Sequence, residues 1–194
     1  MHIHPHATLP RHHKESLLGQ KGGVLWLCGL SGSGKSTIAG ALEHVLHDQG
    51  RFVIRLDGDN LRTGLNSNLG FSDEDRMENI RRTAELAKVL AANGVIVICS
   101  LITPKGALRD LARGILGDDF REIYVKASYA TCQQRDPKGL YAKAAAGEIP
   151  DFTGRDSDFE EPQDPGLVLD TEQLSVEDSV FEILEWVRTT GVIS

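Results

Sequence analysis

Residues 29–36 read Gly29-Leu30-Ser31-Gly32-Ser33-Gly34-Lys35-Ser36. This stretch fits the pattern G-x-x-x-x-G-K-[ST], in which a glycine-rich loop wraps around phosphate groups. The apolar run Val24–Cys28 precedes it and predicts a buried strand, and residues 36–49 predict a helix. A flexible Gly/Ser linker would not lie between two such elements, so we interpret the stretch as a P-loop.

The chemistry of such a loop follows from its backbone. Glycines allow successive N–H groups to point into the loop, and the helix N-terminus adds partial positive charge. Lys35 is then expected to reach the β- and γ-phosphates of a bound polyphosphate. Ser36 is expected to ligate Mg²⁺.

The bulk composition excludes several classes of protein. The chain has 194 residues, 40% hydrophobic and 25% charged, which predicts one globular domain. A net charge of −7 argues against a nucleic-acid-binding surface, and we expect no nucleic-acid partner. No apolar run reaches membrane-spanning length and no signal peptide is visible, so no membrane partner is expected. Three cysteines without metal-ligand spacing predict buried, reduced thiols in a cytoplasmic protein.

From residue 23 onward, short apolar runs alternate with helical segments. This alternation predicts an α/β fold with a five-stranded parallel sheet and helices on both faces. The predicted strands are Val24–Cys28, Phe52–Leu56, Val95–Cys99, Glu122–Val125 and Leu167–Leu169. The predicted helices span residues 35–49, 73–93, 105–116, 129–135, 140–146 and 175–190.

Two segments depart from that alternation. Residues 1–22 contain five histidines and no apolar period, so we expect an extension that is flexible or lies on the surface, rather than a metal site. Residues 23–194 form the predicted domain. Within it, residues 137–165 carry four prolines and many charges, and we interpret them as a mobile lid, with an ordinary long loop as the alternative.

Carboxylates follow the second predicted strand in the run Asp57-Gly58-Asp59-Asn60. Ligands bind at the carboxyl ends of the strands in open α/β sheets, so this run is expected to face the same cleft as the P-loop. One carboxylate could hold Mg²⁺, and the other could accept a proton from an attacking hydroxyl. A simple Asp/Gly turn is the alternative.

The second predicted helix begins with Ser72-x-x-Asp75, which resembles a capping box. Its apolar stripe is predicted to contain Met77, Ile80, Ala84, Ala87 and Ala91, with Arg76, Asn79 and Thr83 on one flank. Arg76 and Asn79 could hold an anion near the helix N-terminus. Phe71 is either a hydrophobic staple or a platform for a base, and the local pattern favours the staple.

A hydroxyl also follows the third predicted strand, in Ser100-Leu101-Ile102-Thr103-Pro104. Thr103 could touch a phosphoryl group. Alternatively it caps the next helix, with Pro104 at the first helical position, and we take the cap as the default interpretation.

Together these residues resemble the adenylylsulfate kinase family. The resemblance is carried by the P-loop with Thr37, and by Leu56–Arg62, Leu69–Ser72, Arg76–Arg82, Arg135–Tyr141 and Phe152–Gly154. It implies an ATP- and Mg²⁺-dependent kinase of sulfate assimilation, with the nucleoside-monophosphate-kinase type of fold. Its substrate would be adenosine 5′-phosphosulfate, phosphorylated on the 3′-hydroxyl by direct in-line transfer, and a homodimer is expected.

The resemblance also implies roles for individual residues. Lys35 and Asp59 would be catalytic, with Asp59 as the base, and Thr103 is a third candidate because some relatives carry a proposed phospho-acceptor serine there. The P-loop from Gly29 to Thr37 and Arg135 would bind ATP, and Ser36 and Asp57 would hold the metal. The acceptor would contact Asp59, Arg62, Phe71, Arg76, Asn79, Ile102, Thr103, Lys138, Asp151 and Phe152.

The sequence also departs from the family pattern and leaves alternatives open. Thr103 replaces a serine found in some relatives, Gly106 replaces a usual arginine, and Asp151 replaces a common Gly or Asn. A kinase of the same fold acting on another nucleotide-linked anion would use the same residues. A guanine-nucleotide switch protein would carry an Asn-Lys-x-Asp motif, and this chain has none.

Overall fold

The structure is a computed structural model that describes residue 6 and residues 8–148, 152–154 and 158–191. Its centre is a five-stranded sheet in which every neighbouring pair of strands is parallel. The spatial order is β2-β3-β1-β4-β5. The strands are β1 Gly23–Cys28, β2 Val53–Asp57, β3 Ile96–Ser100, β4 Phe120–Lys126 and β5 Leu167–Asp170. The predicted sheet is confirmed, and no predicted strand differs from the observed one by more than two residues at either end.

Eight helices accompany the sheet in the described part of the chain. They are α1 Arg11–Leu18, α2 Lys35–Asp48, α3 Gly58–Arg62, α4 Asp73–Ala91, α5 Gly106–Leu116, α6 Tyr129–Arg135, α7 Leu140–Ala145 and α8 Val176–Thr190. A single 3-10 turn, Gly117–Asp119, leads into β4. All six predicted helices are present. The short α3 was not predicted as a helix.

The sheet divides the core into two layers. On one face, residues of β1, β3 and β4 pack against α4 and α5, and on the other they pack against α2 and α8. Every residue of β1 is buried, as expected for a central strand covered on both faces. Complete burial of each large aliphatic side chain contributes about 1.5–3 kcal/mol, so this strand anchors the fold.

Helix α4 begins as predicted but buries a different face. The Ser72 hydroxyl accepts a hydrogen bond from the Asp75 amide at 3.2 Å, which confirms the cap. Met77, however, is 40% exposed, whereas Asn79 and Thr83 are buried. The buried face of α4 therefore contains Asn79 and Thr83 and leaves out Met77, which the predicted apolar stripe included. The small alanines leave room for the polar pair, and the Thr83 hydroxyl donates to the Asn79 carbonyl at 2.7 Å.

The N-terminal extension contains a helix that the sequence analysis missed. Arg11 in α1 donates to Asp119 at 2.8 Å and to the Gly22 carbonyl at 2.6 Å. Gln20 then bonds to backbone atoms of Phe52 and Gly94. These contacts attach residues 11–22 to the amino-terminal edge of the sheet, opposite the P-loop. Residues 11–22 of the extension are therefore held on the surface.

Candidate active site

The carboxyl ends of the strands border one large cavity of about 920 Å³. At one end it is lined by the P-loop with Arg135 and Thr171. At the other it is lined by residues of α3, α4 and residues 137–165, which we call the lid segment, namely Asp59, Arg62, Phe71, Arg76, Asn79, Lys138 and Phe152. Ile102, Thr103 and Pro104 lie on the wall between them. The sheet thus brings together the predicted site residues that come from distant parts of the sequence.

The P-loop has the backbone that its glycines predict. Gly32 and Gly34 have positive φ angles of 80° and 106°, a region that favours glycine. The Gly29 amide donates to the Ile102 carbonyl at 3.1 Å, which ties the start of the loop to the chain after β3. Ser31 accepts a hydrogen bond from the Tyr141 hydroxyl at 2.7 Å, so α7 of the lid segment also contacts the loop.

Lys35 is buried within the curve of this loop. Its amine donates to the carbonyls of Gly29 and Leu30 at 2.8 Å and 2.7 Å. Burial lowers the pKa of Lys35 to about 8, because desolvation disfavours the ammonium form. The amine has to exchange these carbonyls for phosphate oxygens when it binds a nucleotide.

A carboxylate with two hydroxyl partners lies beside the P-loop. Asp57 Oδ2 accepts hydrogen bonds from Ser36 and Ser100, each at 2.7 Å. Burial opposes ionisation of Asp57, but the hydroxyls of Ser100 and Ser36 and the Asp59 amide outweigh it and lower the pKa. Mg²⁺ prefers oxygen ligands such as hydroxyl and carboxylate groups, so the side chains of Ser36 and Asp57 fit the predicted metal.

The second carboxylate of the same run has a different environment. Asp59 is exposed in α3 and forms an ion pair with Lys138 of the lid segment. Asp57 also accepts from the Asp59 amide at 3.0 Å, so it caps α3. The run is therefore a helix start rather than a simple turn, and it directs Asp59 into the cavity.

The end of the cavity away from the P-loop holds basic, amide and aromatic side chains. Arg62 donates to the carbonyls of Leu69 and Gly70, and its guanidinium lies 4.3 Å from the centre of the Phe71 ring. Phe71 is 61% exposed, so its ring has a free surface for stacking, which a packed staple would lack. Arg76 bonds to the Phe71 carbonyl at 2.8 Å and to the Thr153 hydroxyl at 2.9 Å.

Phe152 belongs to a small cluster under the lid segment. Its ring is buried and meets Tyr141 edge to face, with centroids 4.8 Å apart. The same cluster includes Leu30 of the P-loop. Asp151 lies outside the described residues.

The position of Thr103 corrects the sequence analysis. The predicted cap is wrong, because α5 begins at Gly106 and its N-cap is Lys105, without a side-chain hydrogen bond. Thr103 is buried with φ of 45°, and its hydroxyl accepts from Trp26 Nε1 at 3.1 Å. Glu160 instead accepts from the Gly106 amide at 2.6 Å. A carboxylate of the lid segment therefore bonds to the first backbone amide of α5, which is the role that Thr103 was predicted to have.

Arg135 lines the cavity at the P-loop end. Its guanidinium donates to the hydroxyl and the carbonyl of Thr171 at 2.9 Å and 2.7 Å. The Thr171 hydroxyl donates to the Ser33 carbonyl at 2.9 Å, so the chain after β5 supports the P-loop.

Sequence reasoning missed three polar residues at this site. Ser100 contacts Asp57 because the two are register partners in adjacent parallel strands. Thr171 follows β5, so its place at a strand's carboxyl end was a usable signal. Asn66 is fully buried and donates to Asn79 Oδ1 at 2.8 Å, for which the sequence gives no local signal.

The described cysteines and histidines form no metal-binding cluster. All three cysteines are free and buried, as expected. Among the described residues, no group of three or more His, Cys, Asp or Glu could hold a metal ion. Within the same residues, no helix is both long and apolar enough to cross a bilayer.

Comparison with known proteins decides the family. The family model for adenylylsulphate kinase matches residues 21–170, most of the chain. The chain belongs to the adenylylsulphate kinase family. An adenylyl-sulfate kinase of Phocaeicola vulgatus is 56% identical over 180 residues, which are 92% of this chain and 88% of that protein. One of Bacteroides thetaiotaomicron is 51% identical, with 96% and 94% covered.

Solved structures of adenylylsulphate kinases share the fold. A Mycobacterium tuberculosis APS kinase in complex with AMPPNP and APS has a TM-score of 0.84 and 44% identity, covering 87% of this chain and 98% of that one. A hexameric APS kinase from Thiobacillus denitrificans has a TM-score of 0.68 and 31% identity, covering 89% of this chain and 30% of that one. The P-loop kinase fold is thereby confirmed.

Proposed function

We propose that this protein is an adenylylsulfate kinase, which transfers the γ-phosphoryl group of ATP to the 3′-hydroxyl of adenosine 5′-phosphosulfate. The products are ADP and 3′-phosphoadenosine 5′-phosphosulfate, an activated sulfate used in sulfate assimilation. The observation that carries this proposal is the single cavity with a P-loop at one end and an Arg, Asn and Phe cluster at the other. A kinase needs both ends, one for each nucleotide.

At the P-loop end, the loop amides and Lys35 hold the polyphosphate of ATP. After Lys35 has exchanged its two carbonyl partners for phosphate oxygens, it and the amides stabilise the negative charge that develops during transfer, which is the main contribution that a protein makes to phosphoryl transfer. Arg135 lies beside the adenine of ATP. Ser36 and Asp57 would hold Mg²⁺, which would supply neutralisation of the negative charge on the phosphates.

At the other end, charged and aromatic side chains suit an adenine nucleotide with two anionic groups. Arg62, Arg76 and Asn79 bind the phosphosulfate and sugar by charge-assisted hydrogen bonds. Phe71 and Phe152 stack on the adenine. Asp151 is proposed as a neighbour of the acceptor from the sequence alone.

Between the two ends, Asp59 accepts the proton of the 3′-hydroxyl. Its ion pair with Lys138 connects α3 to the lid segment, so Lys138 has to release Asp59 before the acceptor hydroxyl can approach the carboxylate. Residues 137–165 act as the lid, which excludes water that would otherwise hydrolyse ATP.

Transfer is direct rather than through a phosphorylated enzyme. The Thr103 hydroxyl is buried and engaged by the Trp26 indole, which argues against its acting as a phosphoryl acceptor. Thr103 instead forms part of the cavity wall with Ile102. Alignment by the P-loop and the acceptor cluster is sufficient for an in-line reaction.

A coupled ADP-release assay tests the proposal with ATP and a panel of nucleotide acceptors. We expect ADP release to depend on adenosine 5′-phosphosulfate, with little response to AMP or to nucleoside monophosphates of other bases. A stronger response to another nucleotide-linked anion, or ADP release without any acceptor, would contradict the proposed substrate.

The cellular location and assembly are also proposed. Buried free thiols fit a reducing cytoplasm. We propose a homodimer, to be checked by light scattering coupled to size-exclusion chromatography. A mass of one chain, or of more than two, would contradict it.

A further inference from the structure

Thr103 has an unusual backbone conformation for a β-branched residue. Its φ of 45° lies in the left-handed region, which favours glycine. Such a conformation is strained for threonine and persists only where surrounding contacts enforce it. Thr103 and its neighbours Ile102 and Pro104 form the cavity wall between the P-loop and the acceptor end, and Ile102 accepts a hydrogen bond from Gly29.

The contacts that enforce it come from a buried ion pair behind the wall. Arg109 of α5 donates to the Thr103 carbonyl at 3.1 Å and more weakly to the Pro104 carbonyl at 3.4 Å. Its Nε lies 3.2 Å from Glu122 of β4. Arg109 and Glu122 are 5% and 4% exposed, and neither belongs to the cavity lining.

A second arginine uses the same carboxylate without reaching the wall. Arg113, one turn further along α5, donates to Glu122 at 2.7 Å, and its guanidinium lies over the Phe120 ring at 4.9 Å. About half of its side chain is exposed. Two arginines therefore neutralise Glu122. Arg113 bonds to the carboxylate and not to residues 102–104.

We propose that Arg109, oriented by Glu122, is a positioning residue that holds the Ile102–Pro104 wall in the form needed for the acceptor. Burial of a charged pair is costly, and replacement by apolar residues is often neutral or stabilising, so stability alone does not explain this pair. The inference rests on the proposed function, since it concerns the wall of the acceptor site. The effect of Arg109 on the conformation of the wall can be measured independently of enzymatic activity.

Trp26 provides the structural measurement, because its indole bonds directly to Thr103. The chain has two tryptophans, so Trp186→Phe leaves Trp26 as the single emitter. In that background we compare Arg109→Met, Arg109→Lys and the matched control Arg113→Met. Lysine keeps the charge opposite Glu122, but its compact ammonium lacks the planar fork with which Arg109 reaches the carboxylate through Nε and the carbonyls through a second nitrogen.

We expect both Arg109 variants to change Trp26 emission and to lose roughly tenfold to a hundredfold in kcat/KM for the acceptor, the scale of a small misplacement. The KM for ATP should change little. Arg113→Met should lower the Tm yet keep the emission and the acceptor kinetics. Arg109→Lys should have a higher Tm than Arg109→Met, but its kcat/KM for the acceptor should stay equally low.

Two results would overturn the proposal. One is that Arg109→Lys regains acceptor kinetics together with its Tm, which would make the residue merely structural. The other is that the Arg109 variants and Arg113→Met have the same emission and the same kinetics at matched loss of Tm. Failure of the proposed function gives a different pattern, in which the wild-type protein lacks acceptor-dependent turnover while the Arg109-specific change in emission persists.

Discussion

At the scale of single residues, Lys35 couples nucleotide binding to protons. Its pKa of about 8 lies below the usual value for lysine because of burial, and phosphate oxygens would raise it. The unfolded chain holds this proton more tightly than the folded protein, so the contribution of Lys35 to stability increases as the pH rises through 8.

We therefore expect proton uptake when ATP binds near pH 8, and an affinity for ATP that falls as the pH rises above this value. Titration calorimetry in buffers of different ionisation enthalpy measures the uptake. In Lys35→Met the pH-dependent uptake should disappear, and turnover should fall by about 10²–10³ with loss of the charge donor. Wild-type binding without uptake would contradict this account of Lys35.

Asp59 is the residue for which a proton-transfer role is proposed. Asp59→Asn keeps the size and hydrogen-bonding atoms but cannot take a proton, so kcat should fall by roughly 10²–10⁴ with a smaller change in KM for ATP. Steady-state kinetics at saturating acceptor measure this fall in kcat. Asp73→Asn, which removes an exposed carboxylate paired with Lys105, is the control and should leave kcat unchanged. Equal kcat values for wild type and Asp59→Asn would remove Asp59 as the base.

Thr103 distinguishes direct from covalent transfer. Thr103→Ala leaves the buried Trp26 N–H without its partner, which should cost about 1–3 kcal/mol of stability. Turnover should survive, because the wall is still held by Arg109. Rapid quench with γ-labelled ATP should find no labelled wild-type enzyme. A labelled enzyme that carries the flux, together with an inactive variant, would favour the covalent route.

At the scale of elements, the lid segment connects the two ends of the cavity. Phe152 packs against Tyr141, whose hydroxyl bonds to Ser31 of the P-loop. Phe152→Ala should raise the KM for the acceptor, since loss of a stacking partner costs about 1–3 kcal/mol per base. Tyr141→Phe is the control, because it keeps the ring and removes only the hydroxyl, which bonds to Ser31 of the P-loop and also to Cys132. Equal effects of Phe152→Ala on ATP and acceptor would make Phe152 a packing residue of the lid.

The elements also show what the sequence could and could not predict. Strands with continuous apolar runs and helices with caps were found because their signals are local, as at Val24–Cys28 and Ser72. Helix α1 was missed because it buries no apolar face and is held by the polar contacts of Arg11. Thr103 was misplaced because its conformation depends on Trp26 and Arg109, which local pattern does not connect to it.

At the scale of the whole molecule, the cavity has many basic side chains although the chain as a whole is acidic. The chain carries a net charge of −7, yet its cavity is lined by Lys35, Arg62, Arg76, Arg135 and Lys138. The field inside a cleft is set by nearby groups, so this basic lining attracts two polyanionic substrates into an acidic protein. The sheet provides the rigid support that brings these residues from four separate segments to one edge.

The most direct test of the account follows the γ-phosphoryl group itself. Protein, Mg²⁺, γ-labelled ATP and adenosine 5′-phosphosulfate are incubated, and the position of the label is read from the product. The account predicts that the label appears on the 3′-oxygen of the acceptor, and that an acceptor lacking the 3′-hydroxyl receives none. Label found only in inorganic phosphate, or on an acceptor without that hydroxyl, would contradict it.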